Sequence, residues 1–380
     1  MNILAMIGHQ LLFRQPGNHY RTIWQRLHID TFLLSSLTLL IALGLFILYS
    51  ASNQDTDMLV RQVIRFLLAF LIMFGLAQIP PQKYRHFAPW LFSITVILLI
   101  CVLIMGHIGK GAQRWLSLGL FRFQPSEVMK IVLPMTIAWF FHTQPLPPPK
   151  ISLAIASVLI LVPVLLIAKQ PDLGTALLIG ASGMCVILLA GISWRLLMML
   201  ALLMISVVPF AWHMMHDYQR ERVLTFLNPE RDPLGSGYHI IQSKIAIGSG
   251  GLFGKGWLHG TQSHLQFLPE HATDFIFAVC GEEFGLIGGL LLLVIYLVII
   301  GRGLYISSQA QDTFSRLLAG SLILTFFVSI FINIGMVTGI LPVVGVPLPL
   351  ISFGGTSVVT VLASFGILMS IQTHRKLLAT

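Results

Sequence analysis

The stretch His271-Ala-Thr-Asp274-Phe-Ile-Phe-Ala-Val-Cys-Gly-Glu-Glu-Phe-Gly concentrates the chain's chemical potential. One aspartate precedes a long apolar run, and a carboxylate placed where a helix meets water can take a proton from a hydroxyl or hold a divalent cation. A helix over 273–300 would have some 29 residues and be about 43 Å long, roughly 13 Å more than a hydrocarbon core needs. Asp274 would then ride the projecting first turn, with Thr273 as its cap. Gly281, Gly285 and Gly288 would fall within about 40° of it and let a second helix approach beneath the carboxylate. An aspartate there also suits the helix dipole, so the pattern alone leaves a structural role open.

Other polar residues sit in apolar surroundings. Glu127 and Lys130, three apart after Gln124-Pro-Ser, share one helix face. Ionisable side chains inside a span face a cavity or each other, which leaves a self-neutralising pair as the alternative. Glu282 and Glu283 point about 100° apart, so at least one must face a polar interior. Asp172 closes the short turn Lys169-Gln-Pro-Asp-Leu-Gly-Thr and suits the next helix as a cap. The loop Gly109-Lys-Gly-Ala-Gln-Arg114-Trp115 offers cations and an aromatic fitted to a phosphate-bearing lipid headgroup. Lys244 and Lys255 lie in the glycine-dense stretch 235–257, which lacks P-loop spacing. His259, His264 and His271 are too loosely spaced to specify a metal. Leu341-Pro-Val-Val-Gly-Val-Pro-Leu-Pro-Leu-Ile-Ser-Phe-Gly-Gly-Thr-Ser357 reads as irregular backbone lining a cavity.

What positions these groups is a membrane. Of 380 residues, 56% are hydrophobic and only 10% charged, with a mean hydropathy of +0.86. A soluble domain carries roughly 25% charged residues. The expected class is all-α: a polytopic bundle of ten spans at about 31–50, 63–79, 87–106, 124–141, 152–168, 173–191, 195–213, 273–300, 316–338 and 349–371. The long segment of about 214–272 reads as a polar, aromatic loop. Residues 1–30 and 372–380 form flanking segments, and 31–371 one transmembrane unit. The three cysteines (Cys101, Cys185, Cys280) show neither disulfide nor zinc spacing.

Ten spans put both termini on one side. Eleven of the 23 basic residues fall there and twelve elsewhere, five of those twelve in the long loop, which the positive-inside rule discounts. The termini are therefore expected in the cytoplasm. Only Asp30 and Asp312 of the 14 acidic residues share that side; nine face the other, and Glu127, Glu282 and Glu283 lie within spans. The net charge of +9 thus belongs to the terminal side and gives no support to nucleic-acid binding.

The motifs Gln124-Pro-Ser-Glu, Gln170-Pro-Asp-Leu-Gly-Thr, Gly237-Tyr-His-Ile-Ile-Gln-Ser, Gly254-Lys-Gly-Trp, Leu268-Pro-Glu-His-Ala-Thr-Asp-Phe and 341–355, in this order, resemble the SEDS family (shape, elongation, division and sporulation). The resemblance covers about 25–378 and is nearer to the rod-shape branch than to the division branch. Phe353 stands where the family has tyrosine. The family implies a ten-span enzyme of the inner membrane that polymerises lipid II at the periplasmic face, with a class B penicillin-binding protein as partner. Asp274 occupies the position of its essential aspartate, and Glu127, Lys130 and Asp172 match other sensitive positions. On this reading an acceptor hydroxyl displaces undecaprenyl pyrophosphate with inversion. Asp274 serves as general base or metal ligand, and Lys130, Arg114 and Lys244, or Mg²⁺ or Mn²⁺, steady the leaving group. A lipid II flippase is the rival class, and a scaffold for the transpeptidase the third. A flippase needs polar groups along its whole path, whereas the inner halves of these spans are nearly free of charge.

Overall fold

The computed structural model describes residues 27–109, 112–117, 122–192, 236–264 and 270–374, with a few isolated positions between 198 and 225. Nine of the ten expected spans coincide with helices. These are α1 (Thr31–Ala51), α2 (Thr56–Ala77), α3 (Pro81–Met105), α4 (Pro125–Phe141), α5 (Lys150–Lys169), α6 (Leu173–Leu189), α9 (Ile276–Ser308), α10 (Thr313–Val337) and α11 (Thr356–Thr373). Seven of them are long and apolar enough to cross a membrane. Most of the expected span 195–213 lies outside the described residues, as do Lys110 and most of 214–235. The chain is an all-α polytopic membrane protein; among the described residues the only strands are the short β1 (His107–Gly109), β2 (Ala112–Ser117) and β3 (Arg122–Phe123), pairing antiparallel between α3 and α4.

Carboxylates or prolines begin most of the helices. Asp30, Asp55, Asp172 and Asp312 each accept a backbone N–H as the cap of α1, α2, α6 and α10, and Pro81 and Pro125 occupy first helical positions. Close helix pairs then form where glycine removes bulk. A Cβ at Gly366 of α11 would lie 2.4 Å from the Met73 carbonyl of α2. His28 stacks on His374 at 3.9 Å, so the two described ends of the chain meet at one end of the bundle. The opposite end is called distal below.

Three expectations need correction. The segment 214–272 is no simple loop, because it contains α7 (Ser236–Gly250) and the short α8 (Thr261–His264), and α7 packs along α9. Glycine-rich composition hides the helix: burying α7 against a partner supplies the stability its residues lack in isolation. The helix after Asp274 starts at Ile276, with Phe275 as its cap, so Asp274 belongs to the preceding turn rather than to the first helical turn. Thr273 caps nothing there; its hydroxyl bonds back to Glu270. The last helix begins at Thr356, leaving 341–355 non-helical.

Nor is α9 continuous. Gly285 adopts φ 64°, ψ −160°, which breaks the ladder and strands backbone groups on both sides. The turn after α7 fills the gap. Lys255 and Gly256 donate their N–H groups to the carbonyls of Glu282 and Glu283, while Leu286 and Ile287 donate to Gly251 and Leu252, all at 3.0–3.2 Å. Gly281 does admit a second helix, as its stripe suggested, since Ile247 of α7 lies against it; a Cβ on Gly250 would sit 2.0 Å from the Gly281 carbonyl. Below this joint Glu282, fully buried, accepts from Lys255 Nζ at 2.7 Å, Thr261 N at 2.9 Å and Gln262 N at 3.1 Å. Glu283 accepts from Ser50.

A side chain at Gly254 would have its Cβ 2.1 Å from the Glu283 carbonyl, at φ +80°. Gly254→Ala should therefore cost about 2 kcal/mol or more, from strain and lost joint hydrogen bonds. Gly248→Ala, in open space on α7, should be neutral or slightly stabilising. Thermal unfolding in detergent followed by tryptophan fluorescence compares the two.

Candidate active site at the distal end

The non-helical segment 339–355 organises the distal end. It begins where α10 stops and carries Pro342, Pro347 and Pro349, which cannot donate backbone hydrogen bonds. Side chains supply what the segment lacks. Asn333 of α10, fully buried, donates through Nδ2 to the carbonyls of Val346 (2.7 Å) and Asp274 (2.8 Å). Ser352 donates to the Thr273 carbonyl at 2.5 Å and accepts from Leu348 N at 2.8 Å. Phe353 N donates to Ala272 O at 2.9 Å, and Tyr296 OH to Pro349 O at 2.6 Å. Three bonds thus tie the turn carrying Asp274 to the segment or to the residue that pins it.

The predicted site residues gather around this frame. Asp274 is half-buried, and a Cβ on Gly345 (φ +71°) would lie 3.5 Å from its Oδ2, so the carboxylate rests on the segment's bend. Glycine leaves room for it there. Lys244 of α7 lies across Gly339, where a Cβ would be 2.3 Å from its Cε. The turn capped by Asp172 abuts Val344, whose carbonyl is 2.4 Å from an ideal Cβ on Gly174. Glu127 and Lys130 line a cleft beside residues 346–350. Its walls are mostly apolar, with the hydroxyls of Thr325, Ser329, Ser357, Thr360 and Ser364 among them.

Several of these charges are already matched. Lys130 Nζ donates to Glu127 Oε1 at 2.6 Å, and both are largely buried. Arg114 pairs with Asp172 at 3.5 Å and donates to Pro171 O at 2.9 Å, so it braces the 170–172 turn. Glu127 keeps one oxygen, Oε2, buried without a partner and able to accept a hydroxyl or amide. His259 folds back on its own turn through the Trp257 carbonyl. Among the described residues no three His, Cys, Asp or Glu side chains converge to hold a metal ion. The donor set among the described residues does not form a protein cage for Mg²⁺ or Mn²⁺, and no step below runs through one.

Asn333, Ser352 and Tyr296 escape a search for charge because they are neutral. Their signal was position: polar side chains within or beside long apolar runs. Arg65 carried a sharper one, a cation two residues inside the expected 63–79 span.

Comparison with known proteins follows from this geometry. The model for the cell cycle proteins FtsW, RodA and SpoVE matches residues 30–377. The chain belongs to this family. It is 54% identical over 360 residues to the peptidoglycan glycosyltransferase MrdB of Escherichia coli K12, covering 94% of this chain and 97% of the relative. Identity to the probable peptidoglycan glycosyltransferase FtsW of Geobacter metallireducens is 35%, over 91% of this chain and 95% of the relative. Among solved structures, a chain of a peptidoglycan synthase complex that coordinates polymerization and crosslinking superposes with a TM-score of 0.79 at 33% identity, covering 90% of this chain and 97% of that one. Thermus thermophilus RodA gives 0.69 at 27%, covering 91% and 98%.

Asn333→Leu keeps volume but removes both carbonyl contacts. It should cost about 2–4 kcal/mol, because two carbonyls lose a donor, and should expose 341–355 to protease before the bundle melts. Limited proteolysis with mass mapping reads this directly. Glu127→Gln alone should destabilise more than the Glu127→Gln, Lys130→Met pair, since it strands a buried cation; the same melting assay compares them.

Proposed function

We infer that the chain is a peptidoglycan glycosyltransferase that polymerises lipid II during cell elongation. The observation that carries this is the Asp274 carboxylate, half-buried against Gly345 on a turn whose carbonyls are clamped by Asn333 and Ser352. A general base works when it is held rigidly and still reaches its substrate. The family membership and the glycosyltransferase relatives support the same activity.

In the proposed step Asp274 takes the proton of an acceptor sugar hydroxyl. The oxygen attacks the anomeric carbon of the donor from the face opposite the leaving group. A new glycosidic C–O bond forms as the bond to pyrophosphate breaks, and undecaprenyl pyrophosphate leaves with the electron pair. One displacement gives inversion. The base supplies roughly 10²–10⁴-fold. Lys244 is placed to face substrate, since it is exposed beside Gly339. Glu127 and Lys130 act as a neutral pair in the cleft wall, and Asp172 and Arg114 brace the turn that abuts Val344. A divalent ion would enter only as a counter-ion carried in by the pyrophosphate.

The reading places the termini in the cytoplasm, the distal end in the periplasm and the protein in the inner membrane. A class B penicillin-binding protein is the proposed partner, in line with the synthase complex among the structural neighbours. A flippase is disfavoured because the Glu127–Lys130 pair is closed on itself and offers no relay.

Purified protein with its transpeptidase, supplied with lipid II, should make glycan strands. Asp274→Asn should lower the rate by about 100-fold or more with an unchanged melting temperature. Equal rates for the two proteins would remove Asp274 from the chemistry, and a wild type that moves lipid II between leaflets without making glycan would favour the flippase.

A further inference from the structure

Among the described residues, four cations of the distal half have carboxylate partners, whereas Arg65, inside α2, has none. Arg61 reaches Asp55, Arg114 reaches Asp172, Lys130 reaches Glu127 and Lys255 reaches Glu282. Among the described residues no carboxylate lies within ion-pair distance of Arg65. Its guanidinium instead sits 4.5 Å above the centre of the Phe353 ring. A Cβ on Gly355 would lie 3.9 Å from Arg65 Nε and 4.0 Å from Cζ. Both contacts put the charge at the start of α11.

That helix start is itself uncapped. Gly355 is the cap residue and offers no side-chain hydrogen bond, so an 18-residue helix presents its first N–H groups beside the guanidinium. A second observation is independent of the helix. Gln62, one turn before Arg65 on the same face of α2, is fully buried. Its Oε1 accepts from Gly354 N at 3.3 Å, which brings its Nε2 to the same turn, and that Nε2 is buried with no partner. A guanidinium, helix N–H groups and an unanswered amide donor converge without an acceptor. This is the complement of a multi-oxygen anion of the phosphate class.

Depth and neighbourhood narrow the ligand. The 18 residues of α11 rise about 27 Å, so its first turn lies close to the edge of a ~30 Å hydrocarbon core, at the level of lipid phosphates. Phe353, over which Arg65 stacks, donates its N–H to Ala272, two residues from Asp274. An anion held here is next to the turn that carries the proposed base. We propose that Arg65, Gln62 and the first turn of α11 bind the pyrophosphate of the lipid-linked substrate. Of Lys130, Arg114 and Lys244, expected to do this, the first two are spent on Glu127 and Asp172, and Lys244 lies beside Gly339. The choice of pyrophosphate rests on the glycosyltransferase reading; the anion site itself does not.

The test measures binding without turnover, in nanodiscs of neutral phosphatidylcholine. The probes are undecaprenyl pyrophosphate, undecaprenol, which lacks the phosphates, and phosphatidylglycerol, an ordinary anionic lipid. Arg65→Gln should weaken undecaprenyl pyrophosphate by about tenfold or more, the scale of a lost charge-assisted hydrogen bond, and leave undecaprenol unchanged. Arg65→Lys should recover part of the loss, and Gln62→Leu should show a smaller one. Asp274→Asn should bind as wild type does. Should Arg65→Gln melt below wild type, Gln62→Leu and Arg65→Lys decide. Wild-type affinity for undecaprenyl pyrophosphate in the Arg65 and Gln62 variants would overturn the proposal. An equal loss for phosphatidylglycerol would overturn the pyrophosphate assignment and mark a general anionic-lipid contact. A wild type that binds the pyrophosphate at this site yet makes no glycan with its partner sinks the polymerase reading alone.

Discussion

Everything at the distal end depends on hydrogen-bonding backbone that is not helical. In lipid-like surroundings each unpaired N–H or carbonyl costs several kcal/mol, about the stability a domain has to lose. Among the described residues two departures from helix, at Gly285 and at 339–355, are each answered with a dedicated partner. At Gly285 the partner is the backbone of 251–256. At 339–355 it is a set of neutral side chains, with Asn333 bonding two carbonyls on separate strands of chain. The reward is geometric. An irregular segment can curve around a carboxylate, which a helix cannot, and Gly345 gives Asp274 the space to lie on that curve.

Charge is handled by the same logic. A buried ion is tolerated when an opposite ion and further hydrogen bonds meet it. Glu282 is the fullest case, with an ammonium, a hydroxyl and two backbone N–H groups on one carboxylate. That cluster sits directly under the break in α9 and fixes the turn that fills it. The Glu127–Lys130 and Arg114–Asp172 pairs likewise stiffen the walls around the cleft and the 170–172 turn. Against this background, a cation whose neighbours are an aromatic ring and a helix start has a different character. Phe353 supplies that stacking face.

Much of this was legible in the sequence, and for a definite reason. Lipid imposes one solution, the helix of about 20 apolar residues, so composition and run length fix the number and place of the elements. Nine expected spans became helices on that basis, and the Asp172 cap followed from capping chemistry. Asp274, Glu127, Lys130 and Asp172 were visible because an ionisable residue in or beside an apolar run is rare.

Tertiary structure decided the rest, because pairing between distant segments leaves no local pattern. The helix in 236–250 could not be seen in glycine-rich sequence, since it is held by α9 rather than by its own propensity. Periodicity extended the helix after Asp274 straight through Gly285, although the backbone turns there to meet residues some 30 positions earlier. Which cations are neutralised was equally hidden, as Arg114 lies 57 residues before Pro171 and meets it and Asp172 only by way of the fold. The sequence by itself determined a membrane bundle with most of its carboxylates toward one end. Only the packed chain decided which of them are matched, which are braced and which are left to meet a ligand, because those are properties of distances that no single segment contains.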